Sequence, residues 1–469
     1  MMKKSREISR RKFLQKATLA ALGASTLPSS LFKFQTLNAA ALSHSATLDG
    51  EYKALICLFQ SGGADSFNLL MPRGNTEYAE YAVTRSNLAI PQSSMHAITP
   101  ATNDGKQYGV HPSMYGVKQL FDQGNLAFLP NVGMLVQPTT KADYLAGNVP
   151  LPLGLFSHAD QIKHWQTASP AIRSSVGWGG KIADLMQSMN ESQTISMNIS
   201  LSGTNVFQYG NQVYEYSVDP ENGSTGITRY DQTNSFDNLR NGMIDSLLSW
   251  GYDDIYKDSY INIIKSSRDA HLEFQEAIEG VGEFQTVFSD NNISNSFKMI
   301  AKIVKAQEAL GFKRQIFFVN FGGWDHHDDL LEKQEGMFTV MSNALQQFNS
   351  VMNEIDMANQ VTTFTASEFS RTLTSNGNGS DHAWGGNVLV SGGAVNGGDF
   401  FGTYPSLELD SAAVVGSRGV LVPGISTDEY FAELALWFGV SPSDLSLVFP
   451  NITNFYSPGA IPPVGFMNF

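Results

Sequence analysis

Cysteine is nearly missing from this 469-residue chain. Cys57 is the single one, which excludes an intrachain disulfide framework. Its place inside an apolar run marks a buried structural thiol and not a nucleophile. Beyond residue 41 no stretch is long and apolar enough to span a bilayer. Internal repeats and heptad runs are also absent. Basic charge is scarce: 30 Lys and Arg stand against 44 Asp and Glu. Eight of those bases and one of the acids fall within the first 41 residues, so the rest carries 22 bases against 43 acids, a net charge of −21. Such a surface repels nucleic acid and anionic lipid, so neither is expected as a partner. An anionic substrate must then be attracted locally, by a metal or a placed arginine.

What the first residues do contain is Ser9-Arg10-Arg11-Lys12-Phe13-Leu14-Gln15-Lys16. An apolar stretch follows at 17–27, and Ala39-Ala40-Ala41 offers small residues for a signal peptidase. This pattern reads as a twin-arginine export signal over 1–41. That route carries proteins already folded, often around a metal or cofactor. The expectation is a protein handled by the twin-arginine export machinery that works in the periplasm or outside the cell, without a stable membrane span. The remaining 428 residues suit one large or two ordinary domains.

Short apolar runs recur at 53–60, 126–132, 315–321, 361–366 and 387–391, most ending in Gly or Ser. Helix-like segments lie between them, at 113–123, 296–310, 334–357 and 428–438. Strands alternating with helices predict an α/β sandwich around a mostly parallel sheet, with helices on both faces. Open sheets of this kind place their sites just past strand ends. Residues 195–235 are rich in Asn, Ser, Tyr and Gly, and 236–310 read as mainly helical. The stretch at about 195–310 is expected to be a lid-like insertion in a single domain covering 42–469.

Three clusters at strand ends carry chemistry. Trp324-Asp325-His326-His327-Asp328-Asp329 follows the run at 315–321. In an extended segment residues i and i+2 share a side, so Asp325 and His327 converge while His326 faces away. Carboxylate plus imidazole suits zinc, manganese or iron better than calcium or magnesium; Asp328 or Asp329 reads as a helix cap. Ser367-Glu368-Phe369-Ser370-Arg371 follows 361–366. Glu368 is placed as a ligand or general base, and Arg371 to hold an anion or orient Glu368, although a plain Glu–Arg pair is the competing reading. In Gly379-Ser380-Asp381-His382, glycine permits a backbone that turns Asp381 and His382 toward one centre. After the first run, Asp65 reads as a further ligand or an N-cap, and Ser66 as a candidate nucleophile, with Asn68 able to donate to an oxyanion. Ser157 reads as a second candidate nucleophile at a helix start or as its cap. His111 and His158 are candidates for a second metal.

Taken in order, the leader, Gly-Gly-Ala-Asp-Ser-Phe-Asn, Gly-Trp-Asp-His-His, Ser-Glu-Phe-Ser-Arg-Thr, Gly-Ser-Asp-His, Gly-Val-Leu-Val-Pro and Leu-Trp-Phe-Gly-Val resemble the bacterial domain-of-unknown-function family numbered fifteen hundred and one. That family looks like a distant branch of the alkaline phosphatase and sulfatase superfamily. The resemblance implies an alkaline-phosphatase-like three-layer sandwich and hydrolysis of phosphate, sulfate or related esters of small molecules or glycans. It implies metal-binding positions at Asp65, at Asp325 with His327, near Glu368, and near Asp381 with His382. The metal expected there is divalent, zinc or manganese, and the residue reading adds Ser66 or Ser157 as nucleophile and Arg371 to neutralise developing charge. Three features depart from the superfamily pattern: the central pair is spaced Asp-x-His, Glu368 is not followed by His, and no Cys-x-Pro-x-Arg occurs. These departures point toward the alternative of a non-catalytic exported binding or assembly protein with a degenerate metal site.

Overall fold

The computed structural model describes residues 51–469 apart from 103, 193, 231 and 460. The leader expected at 1–41 lies outside the described residues. Among those described, nine strands form the main sheet: β1 (Lys53–Phe59), β2 (Leu126–Gly133), β3 (Asn198–Ser200), β4 (Tyr216–Asp219), β5 (Gly223–Ser224), β6 (Arg314–Asn320), β7 (Val361–Ala366), β8 (Gly386–Ser391) and β9 (Ile425–Ser426). Their spatial order is β9-β2-β8-β7-β1-β6-β3-β4-β5. The run from β7 through β1, β6 and β3 to β4 is parallel. Only β8 and β5 run against their neighbours. The five apolar runs of the sequence are all strands of this sheet. They are apolar almost throughout because helices cover both faces.

On one face the helices Tyr115–Asp122, Asn292–Lys305 and Leu330–Glu354 pack together, with Phe297 and Phe348 at 5.0 Å between ring centres. Ile293, Phe297, Ile300 and Val304 recur at helical spacing and are buried. Each such side chain contributes about 1.5–3 kcal/mol. Asn291 starts that helix by accepting a hydrogen bond from the Ser294 amide. On the other face lie Trp178–Met186 and Thr427–Phe438; Trp178 stacks on Phe431 at 4.6 Å and reaches Phe364 of β7 at 5.6 Å. Thr427–Phe438 begins with a capping box between Ser426 and Glu429 and ends on Gly439 in a left-handed conformation. Cys57 is buried in β1, and desolvation pushes its thiol well above the ordinary range. No helix of the described residues is long and apolar enough to cross a membrane.

The stretch read as one insertion, 195–310, is not uniform. β3, β4 and β5 extend the main sheet past β6, and Asn292–Lys305 belongs to a covering layer. Between them the helices Ser235–Ser249 and Ile255–Glu279 form a hairpin beyond that sheet edge.

Candidate metal centre

Because β1, β6 and β7 are parallel neighbours, the loops after Phe59, Asn320 and Ala366 emerge on one edge of the sheet. β8 runs the opposite way, so the loop preceding it, which carries Asp381 and His382, arrives at the same edge. The turn leaving β1 passes beneath the loop leaving β6. Gly62 makes this approach at φ +124°, where a Cβ would lie 2.5 Å from the Asp325 amide nitrogen. Trp324, fully buried, anchors that upper loop between Phe321 and Phe338, and its amide donates to the Ser61 carbonyl. Asp325 and His327 then point to one side. His326 turns inward, and burial lowers its pKa to about 4.

Four side chains meet above this edge. His158, the first residue of the helix His158–Thr167, places Nε2 3.5 Å from Asp325 Oδ2. His382 Nε2 lies 3.5 Å, and His327 Nε2 3.0 Å, from Asp325 Oδ1. The Nε2 atoms of His327 and His382 are 3.1 Å apart. Donor atoms at 2.0–2.1 Å on a tetrahedral ion lie about 3.3–3.4 Å from one another. His158, Asp325 and His382 in particular offer ligand atoms close enough together to share one cation.

The outer ring nitrogens show which atoms face inward. His158 Nδ1 lies 2.8 Å from Glu368 Oε1, and His382 Nδ1 lies 2.9 Å from the Phe156 carbonyl oxygen. His327 Nδ1 lies 3.5 Å from Asp381 Oδ1. His158 and His382 thus each have an acceptor for an Nδ1 proton, which leaves the Nε2 lone pair turned toward the centre. Metal-bound histidines are oriented in this way. His158 Nε2 is buried and has no hydrogen-bond partner. Arg371 Nη1 lies 3.4 Å from His327 Nε2 and its guanidinium binds Asp325, so one positive charge already stands beside these donors. The imidazoles of His158 and His382 with the Asp325 carboxylate, and His327 Nε2 beside Asp325, are donor types that fit zinc, manganese or iron.

Supporting groups hold this arrangement. Glu368, with no exposed side-chain surface, also accepts from the Gly62 amide at 2.8 Å. Arg371 is fully buried; it donates to the carbonyls of Gly62, Gly63 and Ser380 at 2.6, 2.7 and 2.9 Å, and binds the Asp325 carboxylate. Burial pushes the Asp325 pKa up, but the Arg371 guanidinium overrides this and holds it below the usual carboxylate value. Burial lowers the His382 pKa, and the Arg371 charge adds to that. The centre is nonetheless open to solvent, with the side chains of Asp325 and His327 each 46% exposed.

Several residues singled out in the sequence have other places. Asp65 does not reach the cluster: its carboxylate forms a fully buried ion pair with Arg85 at 2.8 Å and accepts from Ser380 Oγ at 3.1 Å. The two glycines before it turn the chain inward, under the loops that carry the ligands. Ser66 is buried, and its Oγ accepts from the Asn387 amide at 2.7 Å. Asn68 is likewise occupied, donating to the Leu88 carbonyl and accepting from Tyr81. Ser157 is the residue before the helix carrying His158. Glu368 and Asp381 stand behind histidines instead of among the ligand atoms, and Asp381 pairs with Arg418 at 2.5 Å. The polar partners of Arg371 are Asp325, His327 and the carbonyls of Gly62, Gly63 and Ser380, so the grip is on Asp325 and not on Glu368. His111 packs on Phe338 and accepts from the Ser113 amide, so it does not share a centre with His158. His158 joins the first cluster directly. No spacing relative to residues 325 or 382 announces this, because it arrives from another helix.

Solved structures similar to this chain include "Crystal structure of PsFucS1 sulfatase from Pseudoalteromonas sp.", with 8% identity and TM-score 0.35 over 87% of this chain and 72% of that one. Another is "Crystal structure of Ps i-CgsB in complex with k-i-k-neocarrahexaose", with 10% identity and TM-score 0.33 over 86% and 77%. No curated protein matches the chain. The family model described as "Protein of unknown function (DUF1501)" matches residues 52–417, most of the chain, which therefore belongs to that family.

Proposed function

We propose that this protein is an exported metal-dependent hydrolase of phosphate, sulfate or related esters. The observation that carries the reading is the convergence of three imidazole Nε2 atoms on Asp325, two of them with the outer nitrogen within 2.9 Å of a carboxylate or carbonyl oxygen. A divalent cation held there supplies polarisation of an ester oxygen and activation of water. Asp325, His158, His327 and His382 hold it, Glu368 and Asp381 orient their histidines, and Arg371 fixes Asp325. Among the described residues no serine or threonine hydroxyl hydrogen-bonds to any of the four inner side chains. This favours direct attack by water over a covalent seryl intermediate.

The test is elemental analysis of the purified full chain beside His158→Ala and His382→Ala, followed by a screen of aryl phosphates and sulfates. Stoichiometric zinc, manganese or iron, lost in both variants together with hydrolysis, is the expected result. A folded chain without metal defeats the reading. A specific observation favours the second reading, a binding protein: Arg371 spends its donors on the protein itself, which leaves none for an anionic substrate. Full metal occupancy without turnover of any ester would select it. Export rests on Arg10-Arg11 and is tested by cell fractionation of the chain carrying Arg10→Lys and Arg11→Lys, which should stay in the cytoplasm.

A further inference from the structure

The helical hairpin beyond the sheet edge carries an apolar face that none of the other described residues covers. Along Ser235–Ser249, Phe236, Leu239 and Met243 follow helical spacing and are exposed at 71%, 68% and 62%, with Trp250 just past the helix end at 61%. Along Ile255–Glu279 the pattern divides in two. Phe274 and Ile278 are buried, Phe274 packing on Tyr216 of β4. The same helical stripe continues toward the N-terminus as Tyr256, Tyr260 and Ile263, and there it is 85%, 64% and 64% exposed. A sequence that keeps its apolar period past the end of its support has a second surface to meet.

We infer that this face joins two copies of the chain into a dimer. At about 200 Å² for a whole aromatic side chain, Phe236, Trp250, Tyr256 and Tyr260 together leave on the order of 550 Å² uncovered. That is already near the largest apolar patch of an ordinary monomer, about 300–600 Å². The aliphatic residues between them bring it to about the 800 Å² per partner that a stable interface buries. Charge selects the occupant. Residues 235–268 hold four bases and five acids, so this arm is close to neutral on a chain with 30 bases and 44 acids. Two copies meeting here keep their acidic bodies apart, whereas an anionic membrane is repelled by the body behind the arm. A twofold arrangement brings the same stripe against itself, as a self-complementary interface requires.

The test is sedimentation equilibrium of the purified full chain up to about 100 μM, two decades above a micromolar dissociation constant. Two variants accompany it, Leu239→Glu with Met243→Glu, and Tyr256→Glu with Ile263→Glu. These positions are exposed, so both variants should keep the wild-type circular dichroism and metal content. The expected result is a wild-type dimer whose dissociation constant rises at least 100-fold in one or both variants. A wild-type chain that stays monomeric overturns the inference, as does a dimer that both variants leave intact. A monomer that floats with zwitterionic lipid vesicles would assign the face to a membrane surface instead, and would equally overturn it.

Discussion

Replacing Glu368 with Gln isolates one supporting interaction of the metal centre. The carboxylate accepts from His158 Nδ1 and from the Gly62 amide, both at 2.8 Å, and its second oxygen lies 3.4 Å from Ser367 Oγ. Glutamine keeps the shape and one acceptor oxygen, so both donors stay satisfied. Its NH₂ meets Ser367 Oγ, whose own proton already goes to the Gln60 carbonyl. What disappears is the negative charge behind the imidazole, and a charge-assisted hydrogen bond is about twice as strong as a neutral one. Loss of such an outer partner weakens metal binding about 10- to 100-fold, or about 1.4–2.7 kcal/mol. Glu368→Gln should fall near 10-fold. Glu368→Ala, which removes the acceptor of both the Gly62 amide and His158 Nδ1, should fall near 100-fold and lower the melting temperature of the metal-free protein as well. The assay is competition for zinc or manganese against a chromophoric chelator, beside a thermal melt in excess chelator. Wild-type affinity in both variants would refute the assignment of Glu368 as the support of His158. An affinity loss in Glu368→Gln matched by an equal loss of metal-free stability would refute it too.

Two further outcomes follow from buried carboxylates. Asp65→Ala strands the buried Arg85 and should cost about 3–5 kcal/mol of stability, read by denaturant unfolding, while the folded fraction retains its metal; a ligand role would reverse that pattern. Burial pushes the Asp428 carboxyl up to about 8, with Glu429 adding to the rise and Lys181 opposing it. Its folded pKa is raised, so between about pH 4 and 8 the native state holds a proton that the unfolded state has released, and stability falls as pH rises through that window. Asp428→Asn removes this dependence. Its stability relative to wild type should climb by up to about 1.4 kcal/mol per pH unit from pH 5 to 8, and a flat difference would show that Asp428 is ionised in the native state.

Much of the sheet is readable because burial on both faces writes strands as continuous apolar runs, and five of them are visible between residues 53 and 391. The Asp325–His327 pair is readable for a local reason as well, since alternation in an extended segment needs no tertiary information. His158 is not readable. Its partners are 167 or more positions away in the chain, and its helix start looks like many capped helix starts. Asp65 misleads for the converse reason: a strand-end acid looks like a ligand until Arg85 is found to reach it from the helix Asn75–Arg85.

The sequence by itself determined the α/β layering, the buried thiol, the acidic surface and the presence of Asp, His and Glu at strand ends, because all of these depend on composition and short-range periodicity. Tertiary structure decided which of those groups face one another. The antiparallel course of β8 carries His382 to the edge where β1, β6 and β7 end. Docking of the helix His158–Thr167 adds the third imidazole. Direction of a strand and placement of a helix are set by packing between distant segments, and no local pattern records them.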